Sequence, residues 1–149
     1  MGDDFGIILP VSRLHSDALI PRYAHEGDAG LDLCTVEDVT LQPFERALIP
    51  TGLSIAIPVG HAGYVLPRSG LAIKSGLSIV NAPGLIDSGY RGEIKVVAIN
   101  LDPHIPIELK KGERVAQLVI APYAHVHIEE VEALDDTVRG DGGFGSSGT

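Results

Sequence analysis

The stretch Ala47-Leu-Ile-Pro-Thr-Gly-Leu-Ser-Ile-Ala-Ile-Pro-Val-Gly-His-Ala-Gly-Tyr-Val-Leu66 decides the fold class. It holds three apolar runs, Ala47–Pro50, Leu53–Ile57 and Ala62–Leu66, cut apart at Thr51-Gly52 and at Pro58-Val-Gly60. Each run is short, apolar and bounded by turn formers, which favours a strand over a helix. Short strands are therefore expected.

The same punctuation continues in both directions. The chain carries 18 Gly and 10 Pro, so breaks return about every eight to twelve residues. Further strand candidates are Ile7–Arg13, Leu31–Cys34, Leu77–Val80, Lys95–Asn100, Ile107–Leu109, Val115–Pro122 and Val126–Val131. Regular short strands predict an all-β protein, a jelly-roll-like sandwich or barrel. One segment departs from this rhythm. Arg68-Ser-Gly-Leu-Ala-Ile-Lys-Ser-Gly76 offers Ser69 as an N-cap and Gly76 just past a C-terminus, which predicts a helix of about two turns.

Bulk composition bounds the rest. At 149 residues and 15.7 kDa, with 44% hydrophobic residues, the chain is the size of one packed domain. Residues 1–138 are expected to form it. Residues 139–149, Arg-Gly-Asp-Gly-Gly-Phe-Gly-Ser-Ser-Gly-Thr, read as a flexible arm. Aromatic residues make up only 5% and Trp is absent, so Ile, Leu, Val and Ala must fill the core. The net charge is −9, from 11 basic and 20 acidic residues, which opposes nucleic-acid binding through counterion release. A small anion is still admissible where a few arginines, backbone amides and a divalent metal make a local positive site. The single Cys34 cannot form an internal disulfide and reads as an inert buried thiol in a reducing compartment. The N-terminus shows no basic n-region, no membrane-length apolar run and no myristoylation pattern, so a soluble, cytoplasmic protein without membrane contact is expected.

Four segments could carry chemistry, and each also has a plain structural reading. Arg68 and Ser69 bring a guanidinium and a hydroxyl to a helix start, which suits a phosphate but equally a capped helix with a surface arginine. The segment from Asn81 to Tyr90 lies between two apolar strands and reads as a hairpin closed through Gly84 and Gly89. Its backbone groups, with Asn81, could read the polar edge of a base, and a tight hairpin would leave no room at the base's 5 position. Asp87 within it could instead be a turn former. Asp28-Ala-Gly-Leu-Asp32 sets two carboxylates four residues apart, suited to a hydrated Mg²⁺ or to a solvated turn. In the Gly-rich tail, Arg139 could meet a phosphate and Phe144 could stack on a base, or the tail could be disordered ballast. Eleven extended residues reach about 36 Å, enough for another subunit. His125 and His127 share a strand face but have no third ligand at recognisable spacing for a transition metal.

Taken together and in order, these segments resemble the five motifs of the homotrimeric dUTPase family over about Ala24 to Thr149. The matching runs are Asp28-Ala-Gly-Leu-Asp-Leu33, Pro67-Arg-Ser-Gly-Leu-Ala72, Gly84-Leu-Ile-Asp-Ser-Gly-Tyr-Arg-Gly-Glu93, Gly112-Glu-Arg-Val-Ala-Gln-Leu118 and Arg139-Gly-Asp-Gly-Gly-Phe-Gly-Ser-Ser147. The resemblance implies a trimer with active sites at subunit interfaces. It implies hydrolysis of dUTP to dUMP and pyrophosphate, which limits uracil in DNA and supplies dUMP for thymidylate synthesis. By the same resemblance Asp87 would activate the water that attacks the α-phosphorus. Tyr90 would pack under the deoxyribose and reject a 2′-hydroxyl. Asn81 and the hairpin backbone would read uracil. Arg68, Ser69 and Gln117 would hold the phosphates, and Asp32 would contact waters on a Mg²⁺ chelated by the triphosphate. Arg139, Phe144, Ser146 and Ser147 would come from a neighbouring subunit. Gly70, Gly84, Ile86, Lys95 and Gly145 complete the substrate-binding set. Arg114 is read as structural, held in an internal ion pair.

Two alternatives compete. The dCTP deaminase branch of the same superfamily needs a proton-shuttling glutamate where this chain reads Lys95-Val-Val97, and Val97 carries no proton. A non-catalytic nucleotide sensor on the same scaffold gives no reason to keep both Asp87 and the tail.

Overall fold

The computed structural model describes residues 6–148 and is built from twelve short strands and one helix. The strands are β1 (Val11–Arg13), β2 (Arg22–Tyr23), β3 (Leu31–Cys34), β4 (Val39–Leu41), β5 (Arg46–Pro50), β6 (Leu53–Ile55) and β7 (His61–Leu66). After the helix α1 (Ser69–Ser75) come β8 (Leu77–Ile79), β9 (Gly84–Ile86), β10 (Lys95–Asn100), β11 (Ile107–Leu109) and β12 (Arg114–Pro122). Every pairing is antiparallel. The largest sheet runs β2-β3-β12-β7-β9, a second runs β5-β10-β8, and β1-β6 and β4-β11 form two-stranded ribbons. The jelly-roll-like sandwich is therefore present. Among the described residues the sheets do not close into a barrel.

Aliphatic side chains on the inner faces make the core, as the scarcity of aromatics requires. Leu33, Leu41, Ile49, Leu53 and Leu118 are completely buried, each on a different strand. The pleat puts alternate residues of one strand on one face, and β10 follows it, with Val96, Ala98 and Asn100 inside. Asn100 is a buried polar group that is fully employed. Its amide nitrogen donates to the carbonyls of Leu41 at 3.0 Å and Ile105 at 2.9 Å, and its oxygen accepts from the Asp102 N–H at 2.8 Å. These bonds satisfy the side chain and tie β10 to the β4-β11 ribbon.

One irregularity positions the site. In β12 the register against β3 shifts between Arg114 and Ala116, and the consecutive residues Val115 and Ala116 are both buried. Strict alternation would bury only one of them. A bulge inserts a residue, so Arg114 and Gln117, three apart, both lie on the outer face. There Gln117 pairs across the sheet with Asp32 on one side and Leu66 on the other.

The structure corrects several sequence expectations. Ser69 does not cap α1: the N-cap is Arg68, with no side-chain cap hydrogen bond, while Gly76 ends the helix in the left-handed conformation at φ 72° as expected. The strand expected at Val126–Val131 is irregular backbone, because no strand among the described residues pairs with it. His125 and His127 therefore share no strand face, and their rings meet edge to face at 5.8 Å. The segment from Asn81 to Tyr90 is not a tight hairpin. Its flanking strands β8 and β10 do pair, but the chain between them crosses to the other sheet, where β9 joins β7. The two-residue β2, the ribbon strand β4 and β9 were not anticipated, since their runs are too short to show alternation.

Candidate active site

Three separate cavities hold the candidate residues other than Asn81 and Gly84, and no residue lines two of these three. The first, of about 360 Å³, is lined by Leu48, Leu85, Ile86, Asp87, Tyr90, Glu93, Ile94 and Lys95. Its walls are apolar and its rim carries two carboxylates and an ammonium, the pattern of a small-molecule pocket. Asp87 and Tyr90 stand where β9 leaves the sheet, joined through a turn in which the Tyr90 N–H donates to the Asp87 carbonyl at 3.1 Å. Ile86 and Gly84 are buried in β9, so this strand faces the pocket mainly with backbone and with exposed Leu85. Asn81 lies outside that lining, with its amide beside Gly84.

The second cavity, of about 390 Å³, gathers Asp28, Gly30, Asp32, Arg68, Ser69, Gly70, Arg114 and Gln117, with Ala24, His25 and Ala29. Asp32 is its electrostatic centre. One carboxylate oxygen lies 3.8 Å from Arg68 Nε and the other 3.4 Å from Arg114 Nη1, with the Asp32 side chain largely shielded from water. Arg68 in turn donates to the Arg114 carbonyl at 3.4 Å. One carboxylate thus lies between two guanidinium groups, whose remaining N–H donors suit an oxyanion. Gln117 Nε2 donates to the Pro67 carbonyl at 2.9 Å, which fixes that side chain against the residue preceding Arg68. Gly30 makes room for it, because a Cβ there would fall 2.6 Å from Gln117 Oε1. Asp28 lines the same cavity, where its carboxylate accepts from the His25 N–H at 2.9 Å.

The tail forms the third cavity, lined by Arg139, Gly142, Gly143, Phe144, Gly145, Ser146 and Ser147. It coils on itself, with Arg139 Nε donating to the Gly142 carbonyl at 2.9 Å, and Phe144 is wholly exposed at a φ of 51°.

Some site residues escaped the sequence reading. Leu48 reaches the first pocket from β5, brought there by tertiary pairing, while Glu93 and Ile94 reach it from the residues just before β10. Arg114 does form the expected ion pair, with Asp32, and it also lines the second cavity. Cys34 is half-buried, and burial, reinforced by the Asp32 charge, pushes its thiol above the ordinary range. Among the described residues no group of three or more His, Cys, Asp or Glu side chains could hold a metal ion.

Fold and pockets together define a jelly-roll-like β protein with one pocket beside Asp87 and Tyr90 and a second, separate cavity lined by Asp32, Arg68, Arg114 and Gln117. The family model described as dUTPase matches residues 16–148, and the chain belongs to the dUTPase family. It is 57% identical over 148 residues to the deoxyuridine 5'-triphosphate nucleotidohydrolase of Rhodococcus erythropolis, covering 99% of this chain and 89% of that protein. The enzyme of the same name from Thermobifida fusca is 54% identical, over 97% of this chain and 81% of its own length. The dUTPase of Staphylococcus bacteriophage 80alpha, solved with dUPNHPP, matches with a TM-score of 0.88 at 33% identity, covering 95% of this chain and 99% of that one. A variant dUTPase of S. aureus phage phi11, solved to describe coordination of a structural Mg(II) ion, matches with a TM-score of 0.79 at 29% identity over 85% of this chain and 98% of that one. Among the described residues, no helix is long and apolar enough to cross a membrane.

Proposed function

We propose that this chain hydrolyses dUTP to dUMP and pyrophosphate with Mg²⁺, acting in the cytoplasm as a homotrimer that keeps uracil out of DNA and supplies dUMP. One observation carries the assembly: in a single chain the Asp87–Tyr90 pocket, the Asp32–Arg68–Gln117 cleft and the Arg139–Ser147 tail are three cavities without a common wall. Each is a fragment, and a nucleoside triphosphate needs a base seat, a phosphate seat and a cover at once. Copies of the chain placed around a threefold axis can bring unlike fragments together.

In the assembled site the uracil edge meets the backbone of β9 and Asn81, and the Tyr90 ring lies under the deoxyribose. Asp87 accepts a proton from water and directs its attack at the α-phosphorus, in line with the leaving pyrophosphate. Arg68, Ser69 and Gln117 hold the phosphate chain, with Gly70 allowing close approach, while Lys95 adds a positive charge at the pocket mouth. Arg139 binds the terminal phosphate, Phe144 covers the ring, and Gly145, Ser146 and Ser147 close the cover with backbone and hydroxyl contacts. A bound Mg²⁺ would neutralise charge on the triphosphate, and Asp32 would hold water molecules around it. The deaminase alternative is not favoured: Val97 lies in mid-strand on β10, paired with Leu48, and carries no titratable group.

The deciding experiment is pyrophosphate release with Mg²⁺ from dUTP, dTTP, dCTP and UTP in parallel, with sedimentation to give the assembled mass. The expected result is a trimer strongly selective for dUTP, and comparable rates on all four substrates would end the assignment. Asp87→Asn should lower kcat by about a thousandfold or more while nucleotide binding persists.

A further inference from the structure

Gly92 is a glycine for reasons of space rather than conformation. It is not among the glycines at positive φ, so its backbone would accept an alanine. What excludes a side chain is Tyr90: a Cβ on Gly92 would overlap the Tyr90 hydroxyl oxygen and lie 2.6 Å from Cζ and 3.0 Å from Cε2. The phenol is folded back over Gly92, and its hydroxyl donates to the Glu93 carbonyl at 3.0 Å.

The backbone around this contact is clamped from the body of the fold. Ser54 Oγ donates to the Arg91 carbonyl at 2.6 Å. The Glu93 carboxylate accepts from the Gly52 N–H at 3.2 Å, and the Ile94 N–H donates to the Leu53 carbonyl at 2.8 Å. The ring, by contrast, is about half exposed and held by its one hydroxyl bond. A methyl group placed between them therefore displaces the ring and leaves the chain where it is.

We propose that Gly92 is a positioning residue for Tyr90, and that this contact sets how strongly the enzyme prefers deoxyribose over ribose. The inference rests on the dUTP reading above, in which the Tyr90 ring is the wall beneath the sugar. A wall displaced by about an ångström loses its contact with deoxyribose and stops excluding a 2′-hydroxyl. Discrimination is a difference between two transition-state affinities, so both changes act on it in the same direction.

The test compares kcat/KM for dUTP and UTP in the full-length enzyme, in Gly92→Ala, in Tyr90→Ala and in the double variant, with thermal melts of all four. The dUTP-to-UTP ratio in Gly92→Ala should fall by roughly tenfold or more, mainly through a higher KM for dUTP, with the melting temperature unmoved. In the Tyr90→Ala background the same methyl should leave the ratio unchanged, because a residue acting through another shows no separate effect once that other is gone. An unchanged ratio in a folded Gly92→Ala enzyme overturns the inference, as does an equal fall in both backgrounds. Should Gly92→Ala alone fail to fold, a folded double variant supports exclusion by the ring, and an unfolded one overturns it. Wild-type enzyme that turns over UTP as fast as dUTP overturns the underlying reading of Tyr90, and the inference with it.

Discussion

The strand-built body up to Pro122 and the chain beyond it use similar apolar residues in opposite ways. In the body Leu33, Leu41, Ile49 and Leu118 are completely buried, and the backbone of their strands is paired across the sheets. Beyond Pro122, Val126, Ile128, Val131, Leu134, Val138 and Phe144 are all exposed. The tail's backbone hydrogen bonds there are local turns, such as Gly142 N–H to the Arg139 carbonyl and Ser146 N–H to the Gly143 carbonyl. The last backbone bond to the body is Tyr123 N–H to the Gly60 carbonyl at 3.1 Å. Apolar side chains are stable where a second surface covers them, and among the described residues no such surface covers these side chains. Stability should therefore reside in the body and catalysis should depend on both regions.

Removing residues 139–149 is the strongest way to break that division. The truncated protein should melt where the full chain melts, yet release pyrophosphate from dUTP about a hundredfold more slowly or worse, because contacts remote from the reacting bond position the substrate. A drop in melting temperature matching the loss of activity would show that the tail belongs to the folded body after all.

The reverse comparison uses single side chains. Leu33→Ala removes part of a fully buried residue in β3 and should cost about 2–5 kcal/mol in urea unfolding. Val138→Ala, at a wholly exposed position, should stay within about 0.5 kcal/mol. A large cost at Val138 would mean that its cover is permanent, supplied by a stable neighbouring subunit, and would sharpen the division into one between chains rather than regions.

The sequence made the body legible and the tail only partly so, for a physical reason. In Lys95–Asn100 the side chains alternate in and out of the core, but what marks the strand in the sequence is its short apolar run Val-Val-Ala-Ile rather than a period. Val126–Val131 has comparable residues but no partner strand, and a pattern cannot announce that its partner is missing. The short β9 was invisible because Gly84–Ile86 is defined by pairing with β7, a contact made from about twenty residues away. At the site, motif residues such as Asp32, Arg68 and Gln117 did converge. Their electrostatic logic did not show, since the pairing of Asp32 with Arg114 depends on a bulge in β12 that shifts two site residues to one face. Leu48 and Ile94 carry no chemical signature at all and reach the Asp87 pocket only through the fold.

The smallest effect lies in a matched pair of aromatics. Among the described residues only Phe44, at φ 62°, and Phe144, at φ 51°, adopt the left-handed conformation without being glycine. Phe44 sits in a turn of the body, where Glu45 N–H donates to the Gln42 carbonyl at 2.9 Å and Phe44 N–H to the Asn100 carbonyl at 2.8 Å. Those bonds hold it in a conformation that costs an ordinary residue about 1–2 kcal/mol, while its exposed ring gains little burial in return. Phe44→Gly should relieve that strain. Part of the gain is offset by the greater freedom of glycine in the unfolded chain, leaving a net stabilisation of about 0.5 kcal/mol, read as a higher urea midpoint at constant m-value. Phe144→Gly should leave the midpoint where it is, because nothing in the tail's unfolding contributes to the transition. A Phe144 variant that shifts the midpoint as Phe44 does would place the tail inside the cooperative unit and erase the distinction between the two regions.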